Sequence, residues 1–107
     1  MARPIYSSLL ASLHSFMGDY VVGPFPGYTA VVRDVDAFWS LGLAAAQLNL
    51  FDGNDATFVY AYLGDGGITS ELYSWRGRQV IPEGETFTVH TDSALDVRVS
   101  GYLLTSP

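Results

Sequence analysis

Apolar residues recur at every second position along most of this chain, the period that sends side chains to alternate faces of a β-strand. In Leu95–Leu104 the alternation is clean: Leu95, Val97, Val99 and Leu103 face one way, and Asp96, Arg98, Ser100 and Tyr102 face the other. Gly101 falls inside the apolar register, where a missing side chain predicts a bulge or a close backbone approach. In Tyr28–Trp39 the odd positions carry Val31, Val35, Ala37 and Trp39, with Arg33 as the exception. Thr57–Leu63 is apolar on both faces, Phe58, Tyr60 and Tyr62 standing opposite Val59, Ala61 and Leu63. Shorter alternating runs occur at Gln47–Phe51, Ser70–Trp75, Gln79–Ile81 and Thr86–Thr91.

Ile5–His14 fits a strand with Leu9, Ala11 and Leu13 on one side, although Leu9, Leu10 and Leu13 also fit a helical spacing. Its serines and lack of charge favour the strand, followed after Gly18-Asp19 by a short Tyr20–Val22 run. The same segment lacks the continuous apolar stretch and small-residue cleavage site of a signal peptide, so it is expected to belong to the folded protein. Turn chemistry separates the runs: Gly23–Gly27, Asp52–Asp55, Gly64–Gly67, Arg76-Gly77-Arg78, Pro82–Gly84 and Thr91-Asp92-Ser93. Leu41–Gln47 alone has helix-forming composition, and Gly42 limits it to one turn. Breaks about every 8–12 residues belong to an all-β sandwich or barrel. A Pro-(x)-Gly corner before a strand, at Pro26-Gly27 and again at Pro82-Glu83-Gly84, suits a chain crossing between two sheets. The expected architecture is a two-sheet antiparallel jelly-roll-like sandwich of about eight strands. Residues 1–22 are expected to form an N-terminal arm with the first strand or strands, and residues 23–107 the sandwich.

Composition narrows the function. The chain has 107 residues, enough for one domain. Its apolar share of 49% against 15% charged excludes intrinsic disorder, and leaves few charges to cover a small domain. Either much of the surface is serine, threonine, glycine, asparagine and tyrosine, or part of it is covered by another subunit. Five arginines, with no lysine, face eleven acids for a net charge of −6. That balance argues against nucleic-acid and membrane-surface partners, both of which need a basic stripe. Without cysteine there are no disulfides, thiolate metal sites or cysteine nucleophiles.

The candidate chemistry is thin. His14 and His90 are the only histidines, and no G-x-S-x-G elbow offers them a nucleophile. Asp34 and Asp36 share a strand face as a pair of carboxylates; an ion pair with Arg33 or Arg98 is the expected role, ahead of glycoside hydrolysis. Asp52-Gly53-Asn54-Asp55, with Asp65 as a further ligand, offers oxygens to Ca²⁺, but Asp-Gly is first of all a hairpin signal. Arg76 and Arg78 beside Trp75 suit a carboxylate on a neighbouring chain. The seven tyrosines with Trp39 and Trp75 suit either core and interface packing or a sugar-stacking platform. No cofactor motif is present, and a non-enzyme without metal or cofactor is expected.

Three stretches carry a resemblance: G-P-F-P-G-Y-T-A-V-V-R-D-V-D-A-F-W from Gly23, W-R-G-R-Q-V-I-P-E-G-E-T-F-T-V from Trp75, and D-V-R-V-S-G-Y-L-L-T from Asp96. From residue 23 onward the chain resembles small all-β virion proteins of tailed phages, especially those infecting actinobacteria. The resemblance implies a non-enzymatic structural protein on the tail, a minor tail protein, located in the virion. Its alternatives are a capsid-exterior decoration protein and a carbohydrate-binding module for adsorption to host glycan. The expected partners are identical copies, as a trimer, and other virion proteins. The interface is expected at Ile5, Leu9, Leu13, Trp75, Arg76 and Arg78, with the N-terminal arm adding a strand to a neighbour.

Overall fold

The period-two pattern is realised as strand throughout a computed structural model that describes residues 5–105, with side chains from Leu9 onward. Six strands lie among the described residues: β1 (Ile5–Val22), β2 (Tyr28–Trp39), β3 (Ala46–Phe51), β4 (Thr57–Leu63), β5 (Glu71–Ile81) and β6 (Phe87–Thr105). The described residues contain no helix, so β1 takes the strand alternative and the Leu41–Gln47 segment is a turn leading into β3. All pairings are antiparallel in one sheet of order β4-β3-β6-β2-β5, with β1 paired to β6, and the sheet nearly closes into a barrel.

Six strands stand where about eight were expected because three supposed breaks lie inside strands. β1 runs through Gly18-Asp19, β6 runs through Thr91-Asp92-Ser93, and β5 runs through Arg76-Gly77-Arg78. Gly77 makes no turn; a Cβ there would stand 2.9 Å from Cη2 of Trp75, so the glycine leaves room for the indole two residues back. Among the described residues the N-terminal arm pairs along its length with β6 of its own chain, from Ile5 opposite Leu104 to Val22 opposite Phe87.

Arg33 explains its own exception. The register of β2 shifts between Val32 and Asp34 against both β5 and β6, so Arg33 is an inserted, bulged residue. Before the bulge Ala30 and Val32 face the core; after it Val35, Ala37 and Trp39 do. Gly101 sits opposite Val32 and takes the close approach, since a Cβ there would overlap the Val31 carbonyl oxygen. A second shift, between Leu9 and Ala11, corrects the expected face of β1. Ala11 is buried and Leu13 packs against the core, whereas Leu9 stands 50% exposed.

The core is made by the inward residues of every strand, among them Trp39, Leu48, Leu50, Val59, Leu63, Phe87, Val89, Val97 and Val99. Phe58 meets Trp75 and Phe87 edge to face, with ring centroids 6.1 and 6.2 Å apart. Trp39 is fully buried and donates its Nε1–H to the Ala44 carbonyl at 3.0 Å, so its polar edge is satisfied.

β6 changes neighbours along its length. Its first part, Phe87–Thr91, lies between Gly18–Val22 of β1 and Leu48–Phe51 of β3. Its second part, from Asp96, lies between the first half of β1 and β2. The bend between them is fastened by side chains of β6. Asp96 accepts the backbone N–H of Ser15 at 2.8 Å, where Ser15 has φ of 47°. Thr91 donates its hydroxyl to the Phe16 carbonyl at 2.7 Å, and Asp92 accepts the Gln47 N–H at 2.6 Å.

Candidate functional site

The five expected interface residues whose side chains are described do not form one patch. Trp75 and Leu13 pack against the core, each only partly buried. Leu9 and Arg76 fall in one cross-strand row, Leu9–Ser100–Asp34–Arg76, at its opposite ends. Three strand spacings of about 4.8 Å put them roughly 14 Å apart. Arg78 is exposed further along β5 and makes no ion pair among the described residues. The side chain of Ile5 lies outside the described side chains; its backbone starts β1.

Arg76 is the cation that faces the paired acids, correcting the expectation of Arg33 or Arg98. Its Nε lies 3.2 Å from Asp34 and its Nη1 3.0 Å from Asp36. Ser74 also donates to Asp36, at 2.8 Å. Asp34 is directly opposite Arg76 on β5 and the bulge turns Arg33 out of the row, whereas Arg98, although opposite Asp36 on β6, makes no ion pair among the described residues. Both carboxylates thus share a single guanidinium, in the arrangement of a surface ion pair.

The Asp52–Asp55 turn closes on itself. Asp52 Oδ1 accepts the N–H groups of Asn54 at 2.8 Å and Ala56 at 3.0 Å, as in an Asx turn. Asp65 lies beyond the far end of β4, roughly 20 Å away along a seven-residue strand, so it does not join the turn. Among the described residues no three His, Asp or Glu side chains converge as a metal site.

Each histidine pairs with an aspartate across β1 and β6. His14 on β1 lies 2.9 Å from Asp96 on β6, and His90 on β6 pairs with Asp19 on β1. His14, Ser15 and Asp96 line a cleft of about 270 Å³ together with Phe38, Ser40 and Leu43.

That cleft belongs to an apolar end of the molecule that pattern reading missed. Ile68 is 85% exposed and Leu72 69%, and Phe38, Leu41 and Leu43 are exposed with them. Phe38 and Leu72 are directly opposite each other on β2 and β5. The 40–45 and 64–70 loops are tied by the Leu41 N–H donating to Ser70 Oγ at 3.1 Å. The available signal was leucine and isoleucine in turns, where polar residues are usual.

A second exposed face lies on the other half of the sheet. Val59, Ala61 and Leu63 point inward from β4, so Tyr60 and Tyr62 both emerge outward, 54% and 53% exposed. Tyr60, Asn49, His90 and Asp19 form one row across β4, β3, β6 and β1, and Gln47 lies opposite Tyr62.

No protein-family model matches the chain, and no curated protein is similar to it.

Proposed function

We propose that this chain is a non-enzymatic structural protein of a tailed-phage virion, a minor tail protein that acts as a homo-oligomer. The observation that carries the reading is the apolar end formed by Phe38, Leu41, Leu43, Ile68 and Leu72. Their exposed surface is on the order of 500 Å², at the upper end of what a monomer leaves uncovered. An apolar patch of this size is often functional, and burial against identical copies is one such use.

The finer architecture belongs to the same proposal. The bends in β1 and β6 divide each into two segments with different neighbours. Counted that way, eight segments fall into two layers of four: the first halves of β1 with the second half of β6, β2 and β5, and the remaining halves with β3 and β4. That order is the jelly-roll arrangement. Its support is the pairing register together with the resemblance of residues 23–107 to tailed-phage virion proteins.

Light scattering tests the assembly. The wild-type chain should show a multiple of its 11.6 kDa mass, with a trimer expected. The double variant Ile68→Ser, Leu72→Ser should shift it toward the monomer. A wild-type monomer at every concentration would overturn the oligomer. Immunogold labelling of purified particles tests the location, and label confined to the capsid would replace tail by capsid decoration.

A further inference from the structure

We propose that the outer face of β4, β3 and the first part of β6 binds a neutral glycan chain, with Tyr60 and Tyr62 as its stacking planes. The two tyrosines are two residues apart on one strand face, about 6.6–6.8 Å along it. An exposed tyrosine ring is a flat apolar surface with a polar tip, suited to the C–H face of a sugar ring.

Beside the rings stand groups that match hydroxyls. Gln47 and Asn49 each carry a donor and an acceptor on one amide, the pairing that vicinal hydroxyls require. Gln47 donates to the Tyr60 hydroxyl at 3.3 Å, which orients both side chains. The row continues from Asn49 to His90, held by Asp19, and spans roughly 14 Å over three strand spacings.

Charge selects the class of glycan. The described arginines, Arg33, Arg76, Arg78 and Arg98, lie on β2, β5 and the second part of β6. Among the described residues the tyrosine face carries Asp19 and Asp92 and no arginine. An anionic polymer finds no counter-charge there and meets two carboxylates, whereas an uncharged one meets no penalty.

Isothermal titration with cellohexaose, maltohexaose and N-acetylchitohexaose tests the proposal, with heparin as the anionic probe. At least one neutral hexasaccharide should bind with a dissociation constant between micromolar and millimolar. Binding should change little with salt. Tyr60→Ala and Tyr62→Ala should each weaken it roughly ten-fold or more, while Tyr60→Phe keeps the ring and most of the affinity. Both tyrosines are more than half exposed, so the alanine variants should retain the wild-type circular dichroism. The proposal is overturned if none of the three neutral probes binds, if heparin alone binds, or if the alanine variants bind as the wild type does. It is overturned equally if those variants alter only the oligomeric mass, which would make the face a contact between copies.

Discussion

Replacing Gly101 by alanine isolates one packing demand of the fold. Its φ is not positive, so alanine meets no backbone penalty there and gains slightly in strand propensity. The obstacle is space. The new Cβ would overlap the Val31 carbonyl oxygen and stand 2.9 Å from its carbonyl carbon and 3.2 Å from the Arg33 nitrogen. All of these are backbone atoms in the middle of the β2–β6 ladder, so no side-chain rotation relieves the clash. Overpacking of this kind costs about 1–3 kcal/mol, and displacing the ladder loses a hydrogen bond worth about 1 kcal/mol more. The sum, about 3 kcal/mol, outweighs the propensity gain. For a domain near 100 residues it corresponds to a fall in Tm of roughly 12–24 °C. Thermal and urea unfolding followed by circular dichroism measure it directly. The bulge supplies a second arm. Deleting Arg33 restores unbroken alternation from Ala30 to Trp39, so deletion in the Gly101→Ala background should recover part of the lost stability. A Gly101→Ala protein melting within about 3 °C of wild type would refute the close-approach argument.

Thr91→Val removes the buried hydroxyl that donates to the Phe16 carbonyl and should cost about 1–2 kcal/mol in urea unfolding. Asp96→Ala frees the Ser15 amide and His14 at the same bend, and is expected to cost about 1 kcal/mol because the site is part-exposed. The pair Arg76→Ala, Arg78→Ala should change stability by less than about 1 kcal/mol, since Arg76 is more than half exposed; a lowered oligomeric mass in light scattering would place these arginines at an interface. Deleting residues 2–16 should abolish cooperative unfolding, because it removes buried Ala11 and core-packed Leu13 and strips one neighbour from β6.

The sequence made the all-β class legible because most strands keep strict alternation, as Leu95–Val99 does with all three apolar residues buried. It failed where a break and a bend share the same residues. Thr91, Asp92 and Ser93 have turn composition, yet Thr91 and Asp92 use their side chains to fasten other strands while β6 continues through them as one strand. Gly77 between two arginines resembles a turn, and its small size serves Trp75 instead. Asp34 and Asp36 were visible as a pair, but their partner follows from a register that local spacing does not encode. The tyrosine face was visible only as an excess of tyrosine. Its row joins residues 19, 49, 60 and 90, which meet only through pairing of four strands distant along the chain.

The position of β6 governs how the molecule is made. It is the sixth strand in chain order, yet it separates β1 from β2 and β3 in space. While a ribosome is still producing residues 1–86, β1 has no strand to pair with and the β2–β5 and β3–β4 ribbons lack the wall that covers them. Two-stranded ribbons alone are marginal in water. Closure therefore waits for the whole of β6 to emerge and then joins distant segments in one slow step. Until that moment the nascent chain exposes its valines and leucines, the condition in which aggregation competes with folding.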